Sequence, residues 1–174
     1  MKITIPNCLT MLRIIGAAIL VFIPPFTPLF YIIYTITGVT DALDGAIARA
    51  TKTASPQGAR LDSIADMLFY AVMLLKVFPV LLSKLPIGIW LLTAAALLIR
   101  ITAYLIAAVK YRKFASLHTR LNKLTGLLVF AVPYLILLPF AVPACYAIAI
   151  VAAISSLEEM TIHIRSSEYP QAFQ

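Results

Sequence analysis

Long apolar runs divide this chain, and prolines and short polar turns separate them. A membrane-crossing helix needs about 20 mostly apolar residues. Six stretches meet that length, and helices are predicted over residues 6–23, 28–51, 56–81, 86–112, 117–138 and 143–164. Pro6 suits a first helical turn, and Pro24-Pro25 ends the first run. Ser55 offers an N-cap ahead of Pro56. Pro139 and Pro143 bracket the last turn. The expected fold is all-α: a polytopic membrane protein with six transmembrane helices.

Composition agrees. The chain is 62% hydrophobic and 12% charged, with a mean hydropathy of +0.98. A soluble domain is about one-quarter charged. No linker, repeat or low-complexity tract interrupts it, so residues 1–174 are expected to form one membrane domain. No signal peptide is expected, because the first run lacks a small-residue cleavage site. The net charge of +7 does not imply nucleic acid. The basic residues sit at the ends of apolar runs, where they set topology and meet anionic headgroups of membrane lipid. With six spans, both termini and the loops near residues 52 and 114 share one side. That side carries Lys2, Arg49, Lys52, Arg60, Lys110, Arg112, Lys113, Arg120, Lys123 and Arg165, against Lys84 and a snorkelling Lys76. Both termini are therefore expected in the cytoplasm. Cys8 and Cys145 fall near opposite faces, and no disulfide is expected between them.

One window departs from the apolar pattern. "DALDGAIARATKTASPQGARLDSIAD", residues 41–66, holds four of the seven acidic residues. At helical spacing Asp41, Asp44, Gly45, Ala48 and Arg49 share a stripe about 140° wide. Gly58, Asp62 and Asp66 share another. Asp41 and Asp44 stand 12 and 9 residues before Thr53; Asp62 and Asp66 stand 9 and 13 after it. In an antiparallel hairpin the two pairs reach the same depth and face one another. Four like charges in a membrane need positive compensation. All-oxygen donors suit hard divalent cations, Mg²⁺ or Mn²⁺. Four carboxylates suit two such ions, and a two-metal site suits phosphoryl transfer. Gly45, Ala48 and Gly58 leave room for a ligand against backbone, or for close helix packing.

These residues read as D-x2-D-G-x2-A-R-x8-G-x3-D-x3-D. The pattern resembles the signature of the CDP-alcohol phosphatidyltransferases at every fixed position and spacing, and "IPNCLTMLR" is similar to their N-termini. The resemblance implies a donor, CDP-diacylglycerol, and a small polar alcohol whose hydroxyl displaces CMP. It implies that Asp41, Asp44, Asp62 and Asp66 hold two divalent metals, with Asp66 also the catalytic base. It implies that Gly45, Ala48, Arg49 and Gly58 line the CDP-lipid. It further implies a homodimer, with the active site at the cytoplasmic face (of the cell membrane, if the source is prokaryotic).

The acceptor is read from cations. Arg100 lies within an expected span, and Lys110, Arg112, Arg120 and Lys123 follow near its cytoplasmic end. Such a pocket suits an acceptor carrying a phosphate. Glycerol 3-phosphate ranks first, then an inositol phosphate or serine. Against the first choice, the phosphatidylglycerophosphate synthases often carry Pro and Lys where this chain has Ser63 and Met67, and "LDS" is more like the serine- and inositol-using branches. A cation transporter is the alternative of another class, but the acidic residues form one local cluster. His118 and His163 are read as interfacial side chains, Glu158 and Glu159 as facing a basic loop or water, and Trp90 as an interfacial anchor.

Overall fold

The computed structural model describes residues 5–50, 56–112, 117 and 119–166; within these, the side chains at 5, 6, 42, 44–46, 48–50, 56, 57 and 59 lie outside the description. Its described residues are helical, without strands: α1 (Ile5–Phe22), α2 (Pro28–Ala50), α3 (Pro56–Lys76), α4 (Phe78–Lys84), α5 (Ile87–Tyr111), α6 (Arg120–Leu135) and α7 (Ala141–Arg165). They group into two compact units, Met1–Ser83 and Lys84–Gln174.

The helix expected over residues 56–81 is two helices. α3 and α4 meet at Val77 with a bend of 40°. Pro79 accounts for the break, since it has no N–H for the carbonyl of Leu75 and its ring crowds that carbonyl. The chain is rejoined by Val77 N donating to Met73 O and Val80 N donating to Val77 O. The fifth predicted helix is shorter at both ends. Thr119 caps α6 by accepting from Asn122 N, and the turns after Pro133 end the helix at Leu135.

The core is mostly apolar, but the exterior is apolar too, and several polar groups lie inside. Phe22, Leu75, Ile87 and Val109 are among the most exposed large side chains, while Arg13, Thr119, Ser155, Glu159 and His163 are fully buried. An apolar exterior of this kind suits lipid tails, and helices satisfy their own backbone polar groups there. α5 and α7 are each long and apolar enough to cross a membrane, and the bent α3–α4 pair makes a third span if it crosses as one; α1 is a shorter apolar helix. These three match the third, fourth and sixth of the expected spans.

In the first unit α1 packs against both α2 and α3. Its buried stripe is Thr10, Arg13, Ala17 and Leu20, a helical i, i+3, i+7, i+10 series. α1 and α2 approach closely at Gly16, where an added Cβ would run into Thr37 Oγ1. A ring contact links α2 to α3. Phe30 stacks on Tyr34 with centroids 5.8 Å apart, and Tyr34 stacks on Phe69 at 5.6 Å. In the second unit α7 packs against α5 and α6. α5 carries the small buried residues Ala96, Ala103 and Ala107, of the kind that lets helix axes come close.

Candidate active site

Carboxylates of α2 and α3 lie on the faces that carry the Tyr34–Phe69 ring contact. Asp41 lies two turns beyond Tyr34 on the same face of α2, and Asp66 one turn before Phe69 on α3. Ligand oxygens of Asp41, Asp62 and Asp66 all lie within 4.8 Å of one another. The expected facing of α2 and α3 carboxylates is thus seen for three of the four. Asp44 sits on α2, as do Gly45, Ala48 and Arg49, but these side chains lie outside the described ones. Gly58 is half-buried in the first turn of α3.

What joins the three carboxylates is a residue that sequence reasoning missed. Arg13 Nη1 donates to Asp62 Oδ1 at 2.9 Å and to Asp66 Oδ1 at 2.5 Å, and stands 3.0 Å from Asp41 Oδ1. The signal was available: an arginine inside an apolar helix is a functional candidate by default, and it lies within "IPNCLTMLR". The Arg13 side chain is 1% exposed, whereas those of Asp41, Asp62 and Asp66 are 49%, 43% and 39% exposed. Positive charge therefore seals the base of the cluster, and its carboxylates open outwards.

A divalent cation fits these residues. Three carboxylates against one guanidinium leave a formal excess of two negative charges among these four side chains. The donors are all oxygen, as Mg²⁺ and Mn²⁺ prefer.

The second unit holds its own polar centre. Glu159, fully buried, accepts from Arg100 Nη1 at 2.6 Å, from Asn122 Nδ2 at 3.0 Å and from the Leu117 backbone N–H at 2.7 Å. Arg100 also donates to Asn122 Oδ1, Ser156 Oγ and Ser155 Oγ. Neither acidic side chain at 158–159 was expected to be sealed inside. The reason is topological: α7 presents Ser155, Ser156, Glu159 and His163 as one inward stripe. His163 is likewise buried rather than interfacial, with its ring 5.7 Å from that of Tyr111. His118 lies outside the described residues.

Beside this centre is a cavity of about 610 Å³ whose lining includes Arg100, Tyr104, Asn122, Lys123, Thr93 and Ser156. Of the five cations expected to bind an acceptor, Arg100 and Lys123 meet here. The other three do not line it. Lys110 Nζ donates to the carbonyls of His163 and Ile164, closing the C-terminus of α7. Arg112 ends α5 in a left-handed conformation with φ 54° and is exposed, as is Arg120 at the start of α6.

Comparison with known proteins adds the context. The profile of the CDP-alcohol phosphatidyltransferase family matches residues 3–157. The chain is 36% identical over 106 residues to a CDP-diacylglycerol–glycerol-3-phosphate 3-phosphatidyltransferase of Pseudomonas fluorescens, covering 55% of this chain and 49% of that one. It is 45% identical over 69 residues to a cardiolipin synthase (CMP-forming) of Oryza sativa subsp. japonica, covering 38% and 21%. It is 39% identical over 70 residues to a CDP-diacylglycerol–serine O-phosphatidyltransferase of Methanocaldococcus jannaschii, covering 40% and 32%. The matches thus span about half of these relatives' lengths or less. No solved structure matches the chain.

Proposed function

The chain belongs to the CDP-alcohol phosphatidyltransferase family, and on that premise we propose that it moves the phosphatidyl group of CDP-diacylglycerol to a small polar alcohol and releases CMP. The observation that carries this reading is the convergence of Asp41, Asp62 and Asp66 within 4.8 Å. A diphosphate donor needs charge neutralisation, and an outward-facing oxygen cluster with excess negative charge is suited to hold the cations that provide it. The transporter alternative has no support from family membership.

In this reading Asp41, Asp44, Asp62 and Asp66 hold two divalent ions, Mg²⁺ or Mn²⁺. When bound, such ions neutralise charge on the donor diphosphate and its leaving group. Asp66 takes the proton of the acceptor hydroxyl as general base. The acceptor oxygen forms a bond to the lipid-side phosphorus. The bond from that phosphorus to the bridging oxygen breaks, and its electron pair leaves with CMP. Gly45, Ala48, Arg49 and Gly58 contact the cytidine and diphosphate. Catalysis is then largely positioning and electrostatics. The protein works as one membrane domain of six spans and as a homodimer, with both termini and the active site on the cytoplasmic side.

Glycerol 3-phosphate is the proposed acceptor. Two relatives carry names specifying it, and Arg100 and Lys123 line one cavity, where a phosphate could be bound. Lys110, Arg112 and Arg120 add positive charge at its approach in this proposal. A second reading has an observation of its own. The Arg100 charge is matched by buried Glu159 at 2.6 Å, which favours an acceptor without net charge, such as serine; an inositol phosphate ranks between the two.

The test is an acceptor screen. Purified protein receives CDP-diacylglycerol and Mg²⁺ or Mn²⁺, with glycerol 3-phosphate, an inositol phosphate or serine offered singly. CMP and the lipid product are measured. The expected result is CMP release with glycerol 3-phosphate, abolished by EDTA and restored by either metal. Turnover with no acceptor offered, or unimpaired turnover in chelated enzyme, would sink the reading.

A further inference from the structure

We propose that Arg13 is a positioning residue for the metal-binding carboxylates, gathering Asp41 from α2 and Asp62 and Asp66 from α3 around a single nitrogen. The inference rests on the metal reading above and adds a part that the aspartate motif does not contain.

Three observations carry it. First, the geometry is convergent. One nitrogen, Arg13 Nη1, lies 2.5–3.0 Å from a carboxylate oxygen of each of the three aspartates. Without it, three carboxylates on two helices repel one another and lose a common anchor. Second, the burial is graded. The guanidinium is sealed at 1% exposure while the carboxylates remain 39–49% exposed, so Arg13 holds them from behind and leaves their outer side for a cation. Third, Arg13 belongs to the packed stripe of α1, between buried Thr10 and Ala17. α1 touches both carboxylate helices, which makes it the element able to set their spacing.

Hydrogen-bonded partners behind metal ligands orient them, and losing one weakens metal affinity about 10–100-fold. Arginine suits the task better than lysine, because its planar fork is rigid and its charge permanent. Arg13 is also nearest to Asp66 among the three, so it orients the carboxylate assigned as base.

The test is Mn²⁺ titration of the purified full chain, followed by the electron paramagnetic resonance signal of free Mn²⁺. Wild-type protein is expected to bind. Arg13→Ala is expected to bind about 10–100-fold more weakly, and Arg13→Lys to recover part of the loss. Leu20→Ala, which opens a cavity two turns further along the same buried stripe of α1 without adding bulk against α2, serves as the structural control and keeps wild-type affinity. Should Arg13→Ala not fold, Arg13→Gln carries the comparison. Unchanged or tighter Mn²⁺ binding on removal of the guanidinium overturns the proposal, as does an equal loss in Leu20→Ala. If wild-type protein binds no Mn²⁺, the metal reading itself falls and this inference with it. If wild type binds and the Arg13 variants match it, only this inference falls.

Discussion

Glu159 and Arg100 form an ion pair at 2.6 Å in which the carboxylate is wholly buried and the guanidinium side chain 17% exposed. The pair joins α7 to α5, and Glu159 adds the Leu117 backbone ahead of α6. Removing one partner of a buried pair strands the other, at a cost of about 3–5 kcal/mol. Glu159→Ala and Arg100→Ala should each lower the midpoint of thermal unfolding. The double variant should lose much less than the sum, with a coupling of about 0.5–3 kcal/mol. Additive losses would mean that the pair contributes no coupling.

Arg100 also tests the acceptor. If it contacts an acceptor phosphate, Arg100→Ala should raise the acceptor KM about tenfold or more and leave the CDP-lipid KM unchanged, since a truncated charge-assisted contact costs about 2–5 kcal/mol. Arg100→Lys should recover part of this. Lys123→Ala, on the same cavity, should shift the same KM. Steady-state kinetics with each substrate varied separately decides it. An unchanged acceptor KM in Arg100→Ala would assign Arg100 to the Glu159 network alone.

The close passage of α1 over α2 gives a prediction about the scaffold. Thr37 Oγ1 donates to Ile33 O at 2.7 Å and would stand only 2.5 Å from a Cβ on Gly16. Gly16→Ala should destabilise the protein by about 1–3 kcal/mol through overpacking. Thr37→Ala in the same chain removes the obstructing atoms and should restore part of the loss. Thermal unfolding of the single and double variants checks this, and a Gly16→Ala protein as stable as wild type would refute the tight contact.

Much of this was legible in the chain. Apolar runs and breakers predict the helices to within a few residues at most ends, and helical spacing predicts that Asp41 should meet Asp62 and Asp66. The break at Val77 was missed because a long apolar run hides a proline whose effect depends on the carbonyl four residues back. Arg13 carries the general signal of an arginine within an apolar run, but no sequence spacing ties it to the aspartates. Its role emerges only when α1 lies against both carboxylate helices. Glu159 and His163 read as surface groups in the sequence, because their place near a helix end says nothing of what packs over them. The inward stripe that includes Ser155, Ser156, Glu159 and His163 is a tertiary fact.

The last prediction concerns Asp66. Its carboxylate oxygen is 2.5 Å from Arg13 Nη1, and another oxygen ligand from each of Asp41 and Asp62 lies within 4.8 Å. Asparagine is almost isosteric, so Asp66→Asn should keep the helix contacts and the ring contact at Phe69. The amide cannot take the acceptor proton. Turnover should fall about 10²–10⁴-fold if general-base help alone is lost, and further if a metal ligand is lost with it. The two causes separate on metal titration. A base defect persists at saturating Mg²⁺ or Mn²⁺, with Mn²⁺ affinity unchanged; a ligand defect appears as weakened affinity and recovers in part as metal is raised. Asp41→Asn, assigned to metal alone, should show only the second behaviour. The measurement is turnover against metal concentration for wild type and both variants. An Asp66→Asn protein near the wild-type rate at saturating metal would remove Asp66 from the chemistry.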